Sequence, residues 1–472
     1  MSEEPQRSER DSMGELAVPA RAYYGASTQR AVVNFPISTL RLPRRMIAAL
    51  GAIKREAALV NLELGLLSED RSRAIAAAAD EVVKGVFDQE FVVDVFQTGS
   101  GTSSNMNANE VIANRALELL GADRGDRATV HPNDHVNLGQ SSNDVFPTAI
   151  HLAALEALAT DLDPALELLQ AALERQSRAL WPVIKTGRTH LQDATPIRLG
   201  QEFEGYRGQM ERARTRLAAA RAQLTEVALG GTAVGTGIGS HPEFASRVVR
   251  RLAAIYDSNL RESDNHFQAQ ASLDAVVFAS GAVRSAAISL HKIANDIRLL
   301  GCGPRAGIGE LSLPAVQPGS SIMPGKVNPV ICESALMVVA QVIGCDATIS
   351  FAGATGSLLE LNVMLPVAAH NLLEEIELLA RAAANLAASA VDGLTATPRG
   401  PELLERGLAI CTGLVPAIGY DAAAAIAHEA FASNRTVREV AIETSGLAED
   451  EIDRLLDPEL QVNPTLNPGS SG

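Results

Sequence analysis

Four short segments of this 472-residue chain gather small polar side chains against an apolar, alanine-rich background: residues 99–107, 141–144, 187–196 and 319–329. They offer hydroxyls at Ser100, Thr102, Ser141, Ser142, Thr189, Ser320 and Ser321, amides at Asn143 and Asn328, one imidazole at His190 and one ammonium at Lys326. Carboxylates are few. Groups of this kind donate hydrogen bonds to an anion without repelling it, so together they suit a small carboxylic acid. Each segment alone also reads as a helix cap or turn. A lone histidine reads as structural and a lone lysine as solvated. The recurrence of one chemistry in four separate places points to a shared ligand.

Other chemistries fit poorly. Five residues separate Gly319 from Gly325, and Val327 follows Lys326, so this is not a phosphate-binding Walker loop. The glycines of GTAVGTGIGS lack dinucleotide-fold spacing, and no strand pattern precedes them. His131 and His135 are four apart, but Pro132 and the missing glutamate exclude a zincin helix. A metal site has little support.

The elements that must position these groups are long helices. Helical periodicity runs from Arg44 to about Val86, with apolar residues at Ile47, Leu50, Ile53, Ala57 and Val60. Longer patterns cover 147–180, 199–229, 271–300, 330–352 and 366–391. These exceed ordinary globular helices and imply a mainly α protein built on a long bundle, with an apolar stripe left for other subunits to cover. Residues 97–109 read as a loop entering a helix, and the first forty residues as a partly extended arm. TPRGP at 397–401 reads as a hinge, and the tail from Val462 as irregular. The expected domains are 1–140, 141–396 and 397–472.

Composition agrees: the chain is 46% hydrophobic but only 4% aromatic, which favours helices over sandwiches and barrels. A formal charge of −16 argues against a nucleic-acid partner and requires a local positive site for any anionic substrate. Cys302, Cys332, Cys345 and Cys411 form no CxxC pair, which fits a reducing cytoplasm. The acidic start MSEEPQRSERDSMGE has no apolar core, so neither a secretory signal nor a transit peptide is expected. No run looks apolar enough to span a membrane.

GSSIMPGKVNP at 319–329 closely resembles the signature loop of the fumarase/aspartase superfamily, and the resemblance spans nearly the whole chain. MGELAVPARAYYGASTQRAVVNFPIS, TGSGTSSNMNANEVIANRA, QSSNDVFPTA, TGRTHLQDATPIRLGQEF, LELNVMLPVAAHNLL and IGYDAAAAIAHEAF follow in order. His190 in GRTH and Ser100 in TGSGT resemble the metal-free, class II fumarases; aspartases usually carry glutamine and alanine there. Two alternatives remain for the residues: an ammonia lyase acting on aspartate, and a helical protein without activity, like the superfamily members that became lens proteins.

The resemblance implies a three-domain fold with a central bundle of long helices, and a homotetramer with a twenty-helix core and active sites shared between subunits. It implies reversible hydration of fumarate to malate through an aci-carboxylate, without cofactor or metal. Ser320 carries over as the proton-abstracting base. His190 carries over as the acid–base group on the hydroxyl side, with Glu333 as its carboxylate partner. Ser100, Thr102, Ser141, Ser142, Asn143, Thr189, Ser321, Lys326 and Asn328 carry over as substrate ligands. A secondary dicarboxylate site is implied at His131, Asn133 and Asp134. There the pattern departs from the family, with Ala128 where an arginine is expected and His135 in place of a common aspartate.

Overall fold

The computed structural model of the chain describes residues 5–464; most of the tail expected to be irregular lies outside them. A hairpin of β1 (Gln6–Asp11) and β2 (Gly14–Pro19) opens the chain, followed by α1 (Ala26–Asn34). Then come α2 (Arg44–Glu63) and α3 (Glu69–Val83). The periodicity read as one stretch is thus two helices, because Gly65 takes φ +72° and Ser68 opens the next. The apolar positions of α2 behave as spaced: Met46, Ile47, Leu50, Ile53, Ala57 and Val60 are all buried.

The next helices are α4 (Thr102–Leu119) and α5 (Ser142–Ala157), the latter continuing through a wide turn at Leu158–Leu162 into α6 (Asp163–Leu180). Strands β3 (Ile184–Thr189) and β4 (Gln192–Arg198) pair antiparallel before α7 (Leu199–Leu224). Then follow α8 (Phe244–Ile255), α9 (His266–Ala271), α10 (Asp274–Leu300), α11 (Val330–Thr355), α12 (Leu365–Leu386) and α13 (Arg399–Arg406). The remaining strand pairings are two residues long. The mainly helical class and the long helices expected from the sequence are observed.

The chain divides into two compact units, each built from separated stretches. The first comprises Met1–Pro164, Thr215–Ser285 and Ala340–Ala380, and the second Ala165–Arg214, Ala286–Val339 and Arg381–Gly472. Within the second, Ile410, Leu414, Ile426, Val440, Ile452 and neighbouring residues form a small core of their own.

Two helical stretches, Ser142–Leu180 and Val330–Thr355, are long and apolar enough to cross a membrane by length and composition. This corrects the expectation that no run reaches that apolarity. The apolar window of the first is 72% buried inside the structure, as core helices are. That of the second is only 39% buried and leaves Met337 and Phe351 exposed. Its Asp346 is buried and held by Ser280 (3.0 Å) and Arg284 (2.6 Å).

Candidate active site

In the first unit the segments at 99–107 and 141–144 meet. Ser141 caps α5 in a reciprocal box: its Oγ accepts from the Asn143 N–H (3.2 Å), while Asp144 Oδ1 accepts from the Ser141 N–H (2.9 Å). This sets Ser142 and Asn143 in the first turn of a 16-residue helix, whose unpaired N–H groups favour an anion. A chain of hydroxyls joins the two segments: Ser100 Oγ lies 2.7 Å from Thr102 Oγ1, which lies 2.6 Å from Ser142 Oγ. Two glycines allow the approach. A Cβ on Gly99 would fall 1.8 Å from the Val363 carbonyl oxygen, and one on Gly101 (φ +75°) 2.2 Å from the Phe146 ring.

Asp144 is the hub of this region, and sequence reasoning passed over it. Fully buried, its Oδ2 accepts from the Gly230 and Thr232 N–H groups, each at 3.0 Å. It thereby ties the glycine-rich loop after α7 to the cap of α5. Burial raises its pKa, and the three backbone N–H bonds with the Lys54 charge oppose that rise. Asn143 Nδ2 donates to the Ala233 carbonyl of the same loop (2.8 Å). The signal in the sequence was the aspartate three residues after Ser141, a capping-box spacing.

In the second unit, the segment at 187–196 is a β-hairpin rather than a loop. Thr189 pairs with Gln192, so His190 and Leu191 form its two-residue turn, both with positive φ (57° and 61°). Such a turn normally takes glycine or asparagine. Two bulky residues in left-handed backbone mark stored strain, which functional sites commonly carry. The base of the hairpin is anchored by charge. Lys185 Nζ lies 2.8 Å from Glu202 Oε1 and 3.0 Å from Glu310 Oε2, and Arg188 donates to Glu310 Oε1 at 2.8 Å. The Lys185–Glu310 contact is an ion pair without hydrogen-bond alignment. Lys185 and Glu310 are essentially inaccessible, so two cations and two carboxylates balance in the interior.

The segment at 319–329 folds back on itself. The Gly319 N–H donates to the Lys326 carbonyl (2.8 Å), and Asn328 Nδ2 donates to the Gly319 carbonyl (2.7 Å). Asn328 therefore shapes the loop. Ser320 Oγ accepts from the backbone N–H groups of Met323 (3.0 Å) and Ile322 (3.2 Å). Two N–H donors converging on a hydroxyl oxygen favour its deprotonated form. Thr189, His190, Ser321, Lys326 and Glu333 are exposed. Among the described residues no hydrogen bond or ion pair joins His190 to Glu333, nor does any engage the side chains of Ser321 or Lys326.

The other polar cluster lies in the first unit. His131 Nδ1 accepts from the Asn133 and Asp134 N–H groups (3.1 Å each), and His135 Nδ1 accepts from the His131 N–H (2.8 Å). Burial lowers the pKa of both imidazoles. Where an arginine was expected at Ala128, Arg71 of α3 instead donates to the Ala128 and Thr129 carbonyls.

A mainly helical fold, a row of linked hydroxyls at a helix start, and a glycine-bounded loop aiming N–H groups at a serine fit a lyase of the helical-bundle type. A family model described as lyase matches residues 14–344, and one for the fumarase C C-terminus matches 410–461. The chain is 55% identical to a class II fumarate hydratase of Halobacterium salinarum, with 97% of each covered, and 49% identical to one of Methylorubrum extorquens, again with 97% of each. Among solved structures, a class II fumarase of Schistosoma mansoni superposes with a TM-score of 0.94 at 40% identity, covering 96% of this chain and 98% of that one. A cobalt-bound fumarate lyase/delta crystallin of Brucella melitensis gives 0.94 at 48%, covering 98% and 100%. The chain belongs to the class II fumarase family.

Proposed function

We propose that the chain is a fumarate hydratase, interconverting fumarate and malate. The observation that carries the reading is the Ser320 hydroxyl, which receives two backbone N–H bonds at the tip of the signature loop. Serine is a poor base, and those donors stabilise the alkoxide that could take a proton from C3 of malate. As the C3–H bond breaks, charge builds on the neighbouring carboxylate, and the ammonium of Lys326 with the hydroxyl of Ser321 meets it. Asn328 holds the loop in shape. The C2–O bond then breaks, and hydroxide leaves with a proton from His190, acting through a water and oriented by Glu333. In the hydration direction the same groups exchange roles. Ser100, Thr102, Ser141, Ser142, Asn143 and Thr189 bind the substrate carboxylates.

The proposed active sites are composite, assembled in a homotetramer with a core of long helices. Support comes from the apolar residues that a single chain leaves in water on those helices: Met337 (68% exposed), Phe351 (61%) and Ile288 (52%). It comes also from the exposed side chains of His190, Ser321 and Lys326, which have no hydrogen-bond partner among the described residues. A cytoplasmic location is supported by four free thiols. The reaction is metal-independent, as the hydroxyl- and amide-rich donor set suggests.

The test is ultraviolet absorbance of fumarate with malate, then aspartate, as sole substrate. Malate is turned over, aspartate is not, and EDTA leaves the rate unchanged. Turnover of aspartate alone refutes the reading, and loss of activity to EDTA that added metal restores refutes metal independence.

A further inference from the structure

Lys54, in the middle of α2, is wholly inaccessible to solvent. Its ammonium donates to two neutral oxygens, Asn137 Oδ1 (2.7 Å) and Gln140 Oε1 (2.9 Å). Among the described residues no carboxylate lies within ion-pair distance. Burial pushes its pKa down to about 7, and Asp144 is the one charge that pulls it back. Four other acids on the helices around it are engaged elsewhere. Asp80 and Glu56 pair with Arg55, Glu81 pairs with Arg115, and Glu110 accepts from the backbone of Gly25, Ser27 and Thr28. An interior ammonium without a counter-charge in contact is costly and seldom tolerated for packing alone.

What it grips is the turn that ends at Ser141. Asn137 Nδ2 donates to the Gln140 carbonyl (3.0 Å), and Asn61, two turns further along α2, donates to the Leu138 carbonyl (3.1 Å). Asn105 Nδ2 reaches Asn137 Oδ1 (3.2 Å), linking the same hub to α4 one turn beyond Thr102. Lys54 thus touches, through one amide each, both approaches to the Ser100–Thr102–Ser142 hydroxyls. We propose that Lys54 is a positioning residue for substrate binding: its ammonium fixes the turn that presents Ser141, Ser142 and Asn143, and its charge favours a dicarboxylate bound there. It supplies a buried positive charge close to the Ser142 cluster in an otherwise acidic chain.

The inference rests on the dicarboxylate reading of that cluster, and its test separates the two. Lys54→Met keeps the length and removes the charge. Its KM for malate, and its Kd for succinate as an inert dicarboxylate, rise about tenfold or more while kcat changes less than about threefold. Because the ammonium loses its proton near pH 7, wild-type succinate binding weakens as pH rises through that value. The variant lacks that step. A purely structural lysine would instead lower Tm and leave the pH profile of binding unchanged. Equal Kd in variant and wild type overturns the proposal while malate turnover keeps the hydratase reading intact. Wild type that binds succinate but does not turn over malate overturns the hydratase reading alone. Should Lys54→Met not fold, Gln140→Leu removes one acceptor and raises Kd in the same direction, and an unchanged Kd there also overturns the proposal.

Discussion

Around Ser142 the polar side chains are buried or half-buried and spend their hydrogen bonds on one another and on nearby backbone, with buried Asp144 and Lys54 closing the network. At the proposed reactive tips His190 and Lys326 stand in solvent and Ser320 is half-buried, and their positions are set by backbone pairing and by N–H groups of the loop itself. The first region can be complete within one chain. The second has its geometry set but leaves His190 and Lys326 unpartnered among the described residues, the condition expected of groups that meet a ligand or a neighbouring subunit. Rigid support beneath an exposed reactive group is what keeps the entropy cost of reaction low.

The largest expected effects come from the exposed tips. Ser320→Ala and His190→Asn each lower kcat by roughly 10²–10⁴, the range of a general acid or base. Because His190 is exposed with no side-chain hydrogen bond among the described residues, and Ser320 bonds only N–H groups of its own loop, Tm is nearly unchanged. A near-wild-type kcat for Ser320→Ala would show that another group is the base. A large fall in Tm would show that the tips are structural, and the contrast between the regions would fail.

The buried region breaks the other way. Asp144→Ala leaves the N–H groups of Ser141, Gly230 and Thr232 without their acceptor, so stability falls by about 2–4 kcal/mol. Thermal unfolding reads this as a lower Tm, accompanied by weaker malate binding as the α5 cap loosens. Asp144→Asn keeps one acceptor oxygen and recovers part of both. If Asp144→Ala changed kcat alone, at wild-type Tm, Asp144 would belong with the reactive groups instead.

The contrast also explains what could be read from the sequence. Long helices were legible because apolar periodicity records burial directly: the pattern over 271–300 is observed as Asp274–Leu300, and that over 330–352 as Val330–Thr355. The break at Gly65 was hidden because Leu66 and Leu67 continue the apolar pattern through it. The hairpin at His190 was missed because its turn residues are not turn formers; tertiary anchoring by Lys185, Arg188 and Glu310 holds a conformation that local propensity disfavours. The proposed reactive groups stand out in the sequence by type and motif. Their supports do not, since Lys54 sits eighty residues or more from the amides it holds, and nothing about one lysine in an apolar helix predicts that contact.

The smallest effect is expected at His131, which resembles a ligand of a second dicarboxylate site. Its Nδ1 accepts from two N–H groups of its own turn, so the ring acts as an N-cap for Pro132–Val136. Burial holds its pKa below the ordinary histidine value, as it does for His135, which favours the neutral form of both imidazoles. The guanidinium of Arg71, which bonds the chain just before this segment, is occupied by the Ala128 and Thr129 carbonyls. His131→Ala therefore loses about 1 kcal/mol of capping and changes kcat by less than about twofold. The depressed pKa gives the stability effect a sign. The unfolded chain binds the proton more readily, so the native state is penalised as pH falls through the lowered folded value, and removing the ring lessens that acid sensitivity. A His131→Ala enzyme whose kcat fell tenfold or so at neutral pH, with Tm nearly unchanged, would place this cluster among the reactive groups and make the buried region of the first unit a site in its own right.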